Sequence, residues 1–196
     1  MSKTPAVFLD RDGTINQEVG YLDSLDKLII IPQAFEAIKL INESGMKAVV
    51  VTNQAGVAKG LFSQAFVNQV HDRLLNVLHE QGAHIDKFYF CPHHETDGNS
   101  AYTMICDCRK PAPGMLFQAA TELEIDLAAS YMVGDRYRDV ETAKKAGAKG
   151  ILVRTGYGDD ILQNAGPDRE TGANKPDHIA ENILEAVRWI LKDREG

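Results

Sequence analysis

Short apolar runs alternate with longer amphipathic segments along most of the 196 residues. The short runs are rich in β-branched and aromatic residues and are nearly continuous, which is typical of strands buried on both faces of a parallel sheet. The predicted strands are Ala6–Leu9, Lys47–Thr52, Lys87–Phe90, Tyr131–Val133 and Gly150–Arg154. Because strands and helices alternate, we predict an α/β fold with a doubly wound, mostly parallel sheet. Ligands are then expected at the carboxyl ends of the strands.

The segments between the predicted strands repeat their apolar residues at helical spacing. The longest begins at Ser63, a suitable N-cap, and ends before Gly82, a suitable stop. The predicted helices are Pro32–Glu43, Ser63–Gln81, Met115–Leu123, Asp139–Ala146 and Asn182–Leu191. The polar segment Gly156–Lys175 is predicted to be a long surface loop. No internal repeat is found, and we predict a single domain over residues 1–196.

Composition and charge exclude several classes of protein. The chain has 21 basic and 28 acidic residues and a net charge of −7, which argues against a nucleic-acid groove. No apolar run approaches the roughly 20 residues of a membrane span, and the N-terminal apolar run is too short for a signal peptide. The odd number of 3 cysteines argues against a disulfide framework and fits a reducing compartment. We therefore expect a cytoplasmic protein without nucleic-acid or membrane partners, and a monomer.

Two aspartates follow the first predicted strand directly, as Asp10-Arg11-Asp12-Gly13-Thr14. Residues two positions apart point the same way while the chain is extended, and Gly13 permits a tight turn after them. This pattern on its own is equally typical of an acidic turn, because Asp-Gly pairs are common there.

Further polar residues follow other predicted strands. Thr52, Asn53 and Gln54 follow the second strand, Asp135 follows the fourth, and Arg109-Lys110-Pro111 lies between them. Each group alone could be a turn, a cap or a solvated charge. Together they would bring three aspartates, one threonine and one asparagine to one edge of a sheet, with a lysine nearby.

These motifs, in this order between residues 7 and about 147, resemble those of the haloacid dehalogenase (HAD) superfamily of phosphotransferases. The resemblance implies that Asp10 is the nucleophile that forms an aspartyl-phosphate, and that Asp12 is the proton donor and acceptor. It also implies that Thr52, Asn53 and Lys110 stabilise the phosphoryl oxygens.

The resemblance further implies a catalytic Mg²⁺, since paired carboxylates beside a phosphate dianion repel one another. Its expected ligands are Asp10, the backbone carbonyl of Asp12, and Asp135. Asp139, four residues after Asp135, could belong to the site or could instead cap the following helix.

All 3 cysteines lie in one polar segment, together with histidines. The spacing Cys91-x-His93 and Cys106-x-Cys108 provides four ligands in two tight pairs, which is typical of a closed structural Zn²⁺ site. The alternative is three buried free thiols, which usually scatter across a core. His93 is the preferred nitrogen ligand and His94 a possible substitute. Because the last cysteine precedes the phosphate-binding lysine by two residues, the metal is expected to hold that lysine in place.

The spacing of the motifs leaves little room for an inserted cap domain. A flap and the helix Pro32–Glu43 fill the first interval, and the helix Ser63–Gln81, a strand and the zinc-binding loop fill the second. We therefore expect a capless enzyme whose specificity depends on short loops.

The loops at residues 10–16, 20–21, 52–60, 91–94 and 106–111 resemble those of one branch of the HAD superfamily. This branch is the 7-phosphatases of D-glycero-D-manno-heptose 1,7-bisphosphate, which act on the route to nucleotide-activated heptose for bacterial surface glycans. This resemblance implies a sugar bisphosphate as substrate, and guanidinium groups are well shaped to bind its second phosphate. The substrate-binding residues implied by position are Glu18, Val19, Gly20, Tyr21, Gln54, Ala55, Arg109 and Arg136. For each arginine, a solvated surface charge is the alternative. The segment Gly156–Lys175 is longer than the resemblance predicts.

Three alternatives remain open at this point. Histidinol-phosphate phosphatases share the zinc loop and all four motifs, but the loop Gly56–Gly60 of this chain favours the heptose branch. A polynucleotide 3′-phosphatase shares the catalytic motifs, although this chain has no basic track for a strand. A catalytically silent binding subunit is a different class, and the intact Asp10, Asp12, Lys110 and Asp135 argue against it.

Overall fold

One parallel sheet forms the centre of the fold. The computed structural model describes residues 3–98, 101–164 and 175–196. Within these residues the sheet has six strands in the order β3-β2-β1-β4-β5-β6. The strands are β1 (Ala6–Leu9), β2 (Lys47–Asn53), β3 (Lys87–Cys91), β4 (Tyr131–Gly134), β5 (Lys149–Val153) and β6 (His178–Ala180).

The strand order confirms the doubly wound prediction. All neighbouring strands are parallel, and β1 lies between β2 and β4. The chain therefore winds outward from β1 to β3 on one side and from β4 to β6 on the other. The crevice at the carboxyl ends of β1 and β4 is the switch point where α/β folds bind ligands.

Helices cover the two faces of the sheet. They are α1 (Pro32–Glu43), α2 (Gln64–Glu80), α3 (Gly114–Glu122), α4 (Tyr137–Ala146), α5 (Gly158–Gln163) and α6 (Ile183–Asp193). As predicted, Ser63 caps α2 by accepting a hydrogen bond from the Phe66 N–H, and Asn182 caps α6 in the same way. None of the helices in the described residues is long and apolar enough to cross a membrane.

The structure corrects one predicted helix boundary and one segment predicted as a loop. Helix α4 begins at Tyr137 and not at Asp139, because the Asp139 side chain caps the helix from inside its first turn. The segment predicted as a loop contains α5, whose Ile161 and Leu162 pack against Tyr137, Val140 and Leu152. Residues 165–174 of that predicted loop lie outside the described residues.

The apolar core has two layers, one on each face of the sheet. Val7 and Leu9 of β1 belong to the layer that includes residues of α1, α2 and α6. Ala6 and Phe8 face the opposite layer, which includes residues of α3 and α4. This alternation follows from the two-residue period of a strand. With both faces buried, the strand ends are held rigidly, and the polar residues that follow them are held with them.

The intervals between the first three strands contain no inserted domain. Residues 10–46 form loops, one short 3₁₀ turn (Leu25–Lys27) and α1, while residues 54–86 form a loop and α2. The expectation of a fold without a cap domain in these intervals is confirmed, and the carboxyl ends of the strands are left accessible.

Candidate active site

An open cavity of about 260 Å³ lies at the carboxyl ends of β1 and β2. The predicted site residues that line it are Asp10, Asp12, Glu18, Gly20, Tyr21, Thr52, Asn53, Gln54, Ala55, Arg109 and Arg136. Val19 is the exception: it is 38% exposed and does not line the cavity. The Glu18 side chain folds back to accept a hydrogen bond from the Gly20 N–H at 2.6 Å, and this tight turn leaves Val19 at its tip. A substrate-binding role for Val19 stays a prediction.

Lys110 is buried beside Asp10 and Asp139. Its Nζ atom lies 2.9 Å from Asp10 Oδ1, 2.7 Å from Asp139 Oδ1 and 2.9 Å from the Val51 carbonyl oxygen. Burial alone would lower the pKa of this ammonium group, but the charges of Asp10 and Asp139 outweigh it and raise the pKa. Lys110 is therefore a fixed cation that forms ion pairs with two carboxylates and a hydrogen bond to the Val51 carbonyl.

Three carboxylates converge at the same place. Oxygen atoms of Asp10, Asp135 and Asp139 all lie within 4.8 Å of one another. Burial raises the pKa of Asp10 to about 6, against the opposing charge of Lys110. Burial, with the charges of Asp10 and Asp139, raises the pKa of Asp135 to about 8. Asp139 has two structural roles, as the partner of Lys110 and as the cap of α4.

This cluster fits a hard divalent cation. Within the described part of the chain, Asp135 Oδ1 is buried without a hydrogen-bond partner, which is costly for a carboxylate unless a cation binds it. The cluster carries more negative charge than Lys110 balances. Asp10 and Asp135, two of the residues expected to bind Mg²⁺, are thus brought together by the ends of β1 and β4.

The loop after β5 closes on the carboxylate cluster, which the sequence did not indicate. The Tyr157 N–H donates to Asp135 Oδ2 at 2.9 Å, and the Thr155 hydroxyl donates to the Gly13 carbonyl at 2.6 Å. Gly13 has a φ of +82°, and a Cβ atom there would collide with the Asp135 carboxylate. Only glycine fits this close approach.

The carboxylate of Asp12 is held by several donors. Asn16 Nδ2 donates to Oδ1 at 3.0 Å and Gln54 Nε2 donates to Oδ2 at 2.9 Å, while Arg11 forms a short ion pair with the same group at 2.8 Å. Burial would raise the pKa of Asp12, but the Arg11 charge and these hydrogen bonds lower it. Asp12 therefore has a fixed orientation beside Asp10.

The residues after β2 have two different functions. Gln54 Nε2 donates to Thr52 Oγ1 at 2.9 Å, which fixes the threonine hydroxyl at the cavity wall. The Asn53 side chain pairs with the backbone of Lys110, donating to its carbonyl and accepting from its N–H, both at 3.0 Å. The Asn53 side chain thus positions Lys110, and its backbone is what remains for a ligand.

Arginines surround the cavity. Arg109 donates to the His93 carbonyl at 2.9 Å, and the Arg136 guanidinium lies 3.7 Å from the centre of the Tyr157 ring. Arg138 and Tyr157 also line the cavity, and neither was predicted. Among the described residues, Arg138 Nε is buried without a hydrogen-bond partner. The only signal in the sequence is the position of Arg138 in the first turn of α4, between Asp135 and Asp139.

The cysteines and one histidine form a second cluster that can hold a metal ion. Its members are Cys91, His93, Cys106 and Cys108. The Sγ atoms of Cys91 and Cys106 are 3.6 Å apart, and Cys108 Sγ lies 3.3 Å from both Cys106 Sγ and His93 Nδ1. Ligand atoms around a tetrahedral ion with Zn–N and Zn–S bonds are separated by roughly 3.5–3.8 Å. The contacts in this cluster, from 3.1 Å between Cys91 and Cys108 to 3.6 Å, are close to that arrangement.

His93, and not His94, takes the nitrogen position in this cluster. The Nδ1 atom of His94 instead accepts a hydrogen bond from the Asp97 N–H at 3.0 Å. The hydrogen bond with Cys91, followed by those with Cys106 and His93, lowers the pKa of Cys108 to about 5, so that one thiolate is already favoured at neutral pH.

Comparisons with known proteins point in one direction. The family model described as HAD-hydrolase-like matches residues 107–186. A protein of Thermosynechococcus vestitus named D-glycero-D-manno-heptose-1,7-bisphosphate 7-phosphatase is 42% identical over 190 residues, which cover 95% of each chain. A protein of Escherichia coli K12 named D-glycero-beta-D-manno-heptose-1,7-bisphosphate 7-phosphatase is 44% identical over 193 residues, covering 97% of this chain and 96% of the relative.

A solved structure is also similar over nearly the full length. It is the crystal structure of the D,D-heptose 1,7-bisphosphate phosphatase from B. bronchiseptica, in complex with magnesium and phosphate. It is 33% identical, with a TM-score of 0.83, and the match covers 97% of this chain and 99% of that one.

Proposed function

Because the chain belongs to the HAD-like family of D-glycero-D-manno-heptose-1,7-bisphosphate 7-phosphatases, we propose that it removes the 7-phosphate of this sugar bisphosphate. The observation that carries the proposal is the placement of Asp10, Asp12 and Lys110 at the switch point of the sheet, beside an open polar cavity. The reaction is the hydrolysis of a phosphoric monoester, in the formation of nucleotide-activated heptose.

Asp10 is the nucleophile in this proposal. Lys110 Nζ and the Arg11 N–H both bind Asp10 Oδ1, at 2.9 and 2.8 Å, so Oδ2 is the oxygen left to attack phosphorus. The attack breaks the bond between phosphorus and the sugar oxygen and forms an aspartyl-phosphate. Water then hydrolyses this intermediate and regenerates Asp10.

Asp12 moves the protons. A phosphate dianion bound beside Asp12 favours the protonated form of this carboxyl group. Asp12 then donates its proton to the leaving sugar oxygen as the P–O bond breaks, and it accepts one from the attacking water in the second step. The side chain lines the cavity beside Asp10 and is 22% exposed, so both a sugar oxygen and a water molecule can reach it.

Charge on the phosphoryl group is balanced by Thr52, the backbone of Asn53, and Lys110, which lie around Asp10. Asp10, the Asp12 carbonyl and Asp135 would hold Mg²⁺, and the unpartnered Oδ1 of Asp135 supports this assignment among the described residues. When bound, Mg²⁺ supplies positive charge to the phosphoryl oxygens.

The cluster of Cys91, His93, Cys106 and Cys108 holds a structural Zn²⁺ in this proposal. Three thiol sulfurs and one imidazole nitrogen form a closed tetrahedral donor set, which is typical of structural zinc sites. The last ligand of the cluster, Cys108, lies two residues before Lys110, and the Arg109 side chain donates a hydrogen bond to the His93 carbonyl. Zn²⁺ would therefore fix the segment that carries the phosphate-binding lysine.

Recognition of the sugar and its second phosphate depends on the cavity rim. Arg109, Arg136 and Arg138 supply positive charge there, while Glu18 and Gln54 offer hydrogen bonds to hydroxyl groups. A bisphosphate carries one anionic group that is distant from the reacting phosphorus, and guanidinium groups suit it. We further infer a single domain, since one sheet and its two core layers extend through the described ranges. The odd number of 3 cysteines supports a cytoplasmic location, and we propose that the protein acts as a monomer.

The proposal is tested by measuring kcat/KM for both anomers of D-glycero-D-manno-heptose 1,7-bisphosphate and for histidinol phosphate. We expect a preference of at least about 100-fold for a heptose bisphosphate, because arginine side chains at the rim bind its second phosphate. A preference for histidinol phosphate would show that the proposed substrate is wrong and would leave the proposed phosphatase mechanism unchanged. Absence of activity on all three would support the silent binding subunit.

A further inference from the structure

Arg11, between the two catalytic aspartates, is buried although it carries a charge. Its residue is 1% exposed, and the chemistry described above does not use its side chain. A guanidinium group this deeply buried is costly unless it is paired and hydrogen-bonded. The burial of Arg11 therefore needs an explanation in the site itself.

The guanidinium of Arg11 binds the carboxylate of Asp12 through two nitrogen atoms. Nε and Nη2 donate to Asp12 Oδ1 at 3.2 and 3.0 Å, and Nη2 also donates to Oδ2 at 2.8 Å. Arginine in this fork arrangement fixes both the position and the plane of a carboxylate. Asn16 and Gln54 bind the same carboxylate from other directions.

His71 supports the guanidinium from the side of helix α2. Its Nε2 lies 3.4 Å from Arg11 Nη1, and since arginine only donates, Nε2 is the acceptor. The histidine is 5% exposed, and its ring stacks on Phe88 with centroids 4.5 Å apart and contacts the edge of Phe90 at 5.8 Å. Packing by β3 thus fixes His71, which in turn restrains Arg11.

We propose that Arg11, supported by His71, is a positioning residue that holds the Asp12 carboxyl group in line for proton transfer to the leaving oxygen. The inference rests on the proposed function, because it needs Asp12 to be the proton donor. Oδ1 accepts three of the five donor contacts and Oδ2 accepts the other two, so both carboxyl oxygens are held in position. The proton passes from the Asp12 carboxyl group to the sugar oxygen as the P–O bond breaks, and the attacking water later returns one to Asp12.

The leaving group provides the readout. A sugar alkoxide is a poor leaving group and needs the proton of Asp12, whereas the aryloxide of p-nitrophenyl phosphate departs without one. A misplaced Asp12 should therefore lower kcat/KM for the sugar bisphosphate much more than for the aryl phosphate. General damage to the fold or to phosphate binding would lower both alike.

The experiment measures kcat/KM for both substrates with the metal-replete enzyme and four variants. We expect Arg11→Met to lose roughly 10- to 100-fold with the sugar bisphosphate and less than about 3-fold with p-nitrophenyl phosphate. His71→Leu should show a smaller loss of the same kind, and His71→Gln, which keeps an acceptor, should recover most of it. Leu78→Val, a buried change two turns further along the same helix, should show no dependence on the leaving group.

Two outcomes overturn the inference. Equal losses on the two substrates in both Arg11→Met and His71→Leu would mean that these residues only support the fold, and wild-type values in both would mean that Asp12 needs no positioning. His71→Leu keeps the test decisive if Arg11→Met does not fold. Asp12→Asn, measured alongside, separates the role of Asp12 as proton donor from the role of Arg11 as positioning residue. If the loss in Asp12→Asn does not depend on the leaving group, Asp12 is not the proton donor. If only Asp12→Asn shows that dependence, the role of Arg11 alone is wrong.

Discussion

At the scale of single residues, the site depends on a few buried charged groups that are stabilised by one another and not by hydration. Lys110 pairs with Asp10 and Asp139, which are fixed by the ends of β1 and the start of α4. In a water-poor environment each charge is stabilised by its partners, and removing one leaves the others uncompensated. The same preorganised charges are the ones that would stabilise a phosphoryl group during transfer.

Lys110→Met is expected to lower kcat by roughly 100-fold or more, because the cation that faces the phosphoryl oxygens is lost. The free energy of unfolding should fall by about 3–5 kcal/mol, since two buried carboxylates lose their partner. Turnover assays and urea unfolding measure the two effects. Lys47→Met, which breaks the ion pair with Asp86 away from the site, is the matched control and should leave kcat unchanged. A kcat for Lys110→Met close to that of this control would contradict the assignment.

At the scale of elements, two loops that are far apart in the chain support the strand ends. The segment from Cys91 to Cys108 leads into Lys110, and Asn53 ties that lysine to β2. On the other side, the loop after β5 contacts Asp135 through Tyr157 and Gly13 through Thr155. Both loops act on the site through backbone contacts as well as side chains.

The zinc assignment is tested at this scale by the two adjacent histidines. We expect about one zinc ion per chain in the wild-type protein and in His94→Gln, and a loss of zinc in His93→Gln and Cys106→Ser. With Mg²⁺ saturating, turnover should fall in the zinc-free variants, because the segment before Lys110 is no longer fixed. Elemental analysis and phosphatase assays on the same samples measure this. Full turnover in a verified zinc-free sample would show that the metal does not support Lys110.

Tyr157 should affect substrate binding through its ring. Tyr157→Leu removes the ring on which Arg136 lies, so KM for the sugar bisphosphate should rise roughly 3- to 10-fold with little change in kcat. Tyr157→Phe keeps the ring and should behave like the wild type. The rise should be absent with p-nitrophenyl phosphate, which has no second phosphate. A similar KM change with both substrates would place Arg136 at the reacting phosphate instead.

At the scale of the whole molecule, the carboxylate cluster links stability to pH and to the cation. Burial raises the pKa of Asp10 to about 6 and that of Asp135 to about 8, from an ordinary value of 3.8. The folded protein therefore keeps protons that the unfolded chain releases above about pH 4. Their contribution to stability is complete below that pH and is lost as the pH rises through 6 and 8.

Without Mg²⁺ but with zinc bound, the protein should show a falling Tm between pH 6 and pH 8.5. Added Mg²⁺ should raise the Tm, and by more at pH 8 than at pH 6, because it binds the deprotonated carboxylates. Thermal unfolding followed by circular dichroism measures both trends. Asp135→Asn is the control and should weaken both the pH trend and the effect of Mg²⁺. A Tm independent of pH and Mg²⁺ would contradict the proposed cation site.

Much of this architecture could be predicted from the chain alone, where local pattern and chemistry agree. The five apolar strands fall within one or two residues of their observed ends, and the motifs that follow them meet at one edge of the sheet. Strand β6 was missed because its three residues, His178–Ala180, are too short and too polar at the start to form an apolar run. Helix α5 was missed because it has six residues and its stability depends on packing against α4.

The parts of the site that the sequence did not indicate all depend on tertiary contacts. Arg11 and His71 are 60 positions apart, and only the packing of α2 against the sheet brings them together. The contact of Tyr157 with Asp135 likewise joins loops from different strands. The resemblance assigns the whole segment from Glu18 to Tyr21, whereas the turn at Gly20 decides which of its side chains line the cavity, and Val19 is not among these.

The central claim is that Asp10 catalyses removal of one specific phosphate from a heptose bisphosphate. The most direct test follows D-glycero-D-manno-heptose 1,7-bisphosphate by ³¹P NMR with the wild-type enzyme and with Asp10→Asn. We expect the wild type to release inorganic phosphate while the anomeric phosphate signal is retained, and Asp10→Asn to release none. Loss of the anomeric phosphate, or phosphate release by Asp10→Asn at the wild-type rate, would contradict the account.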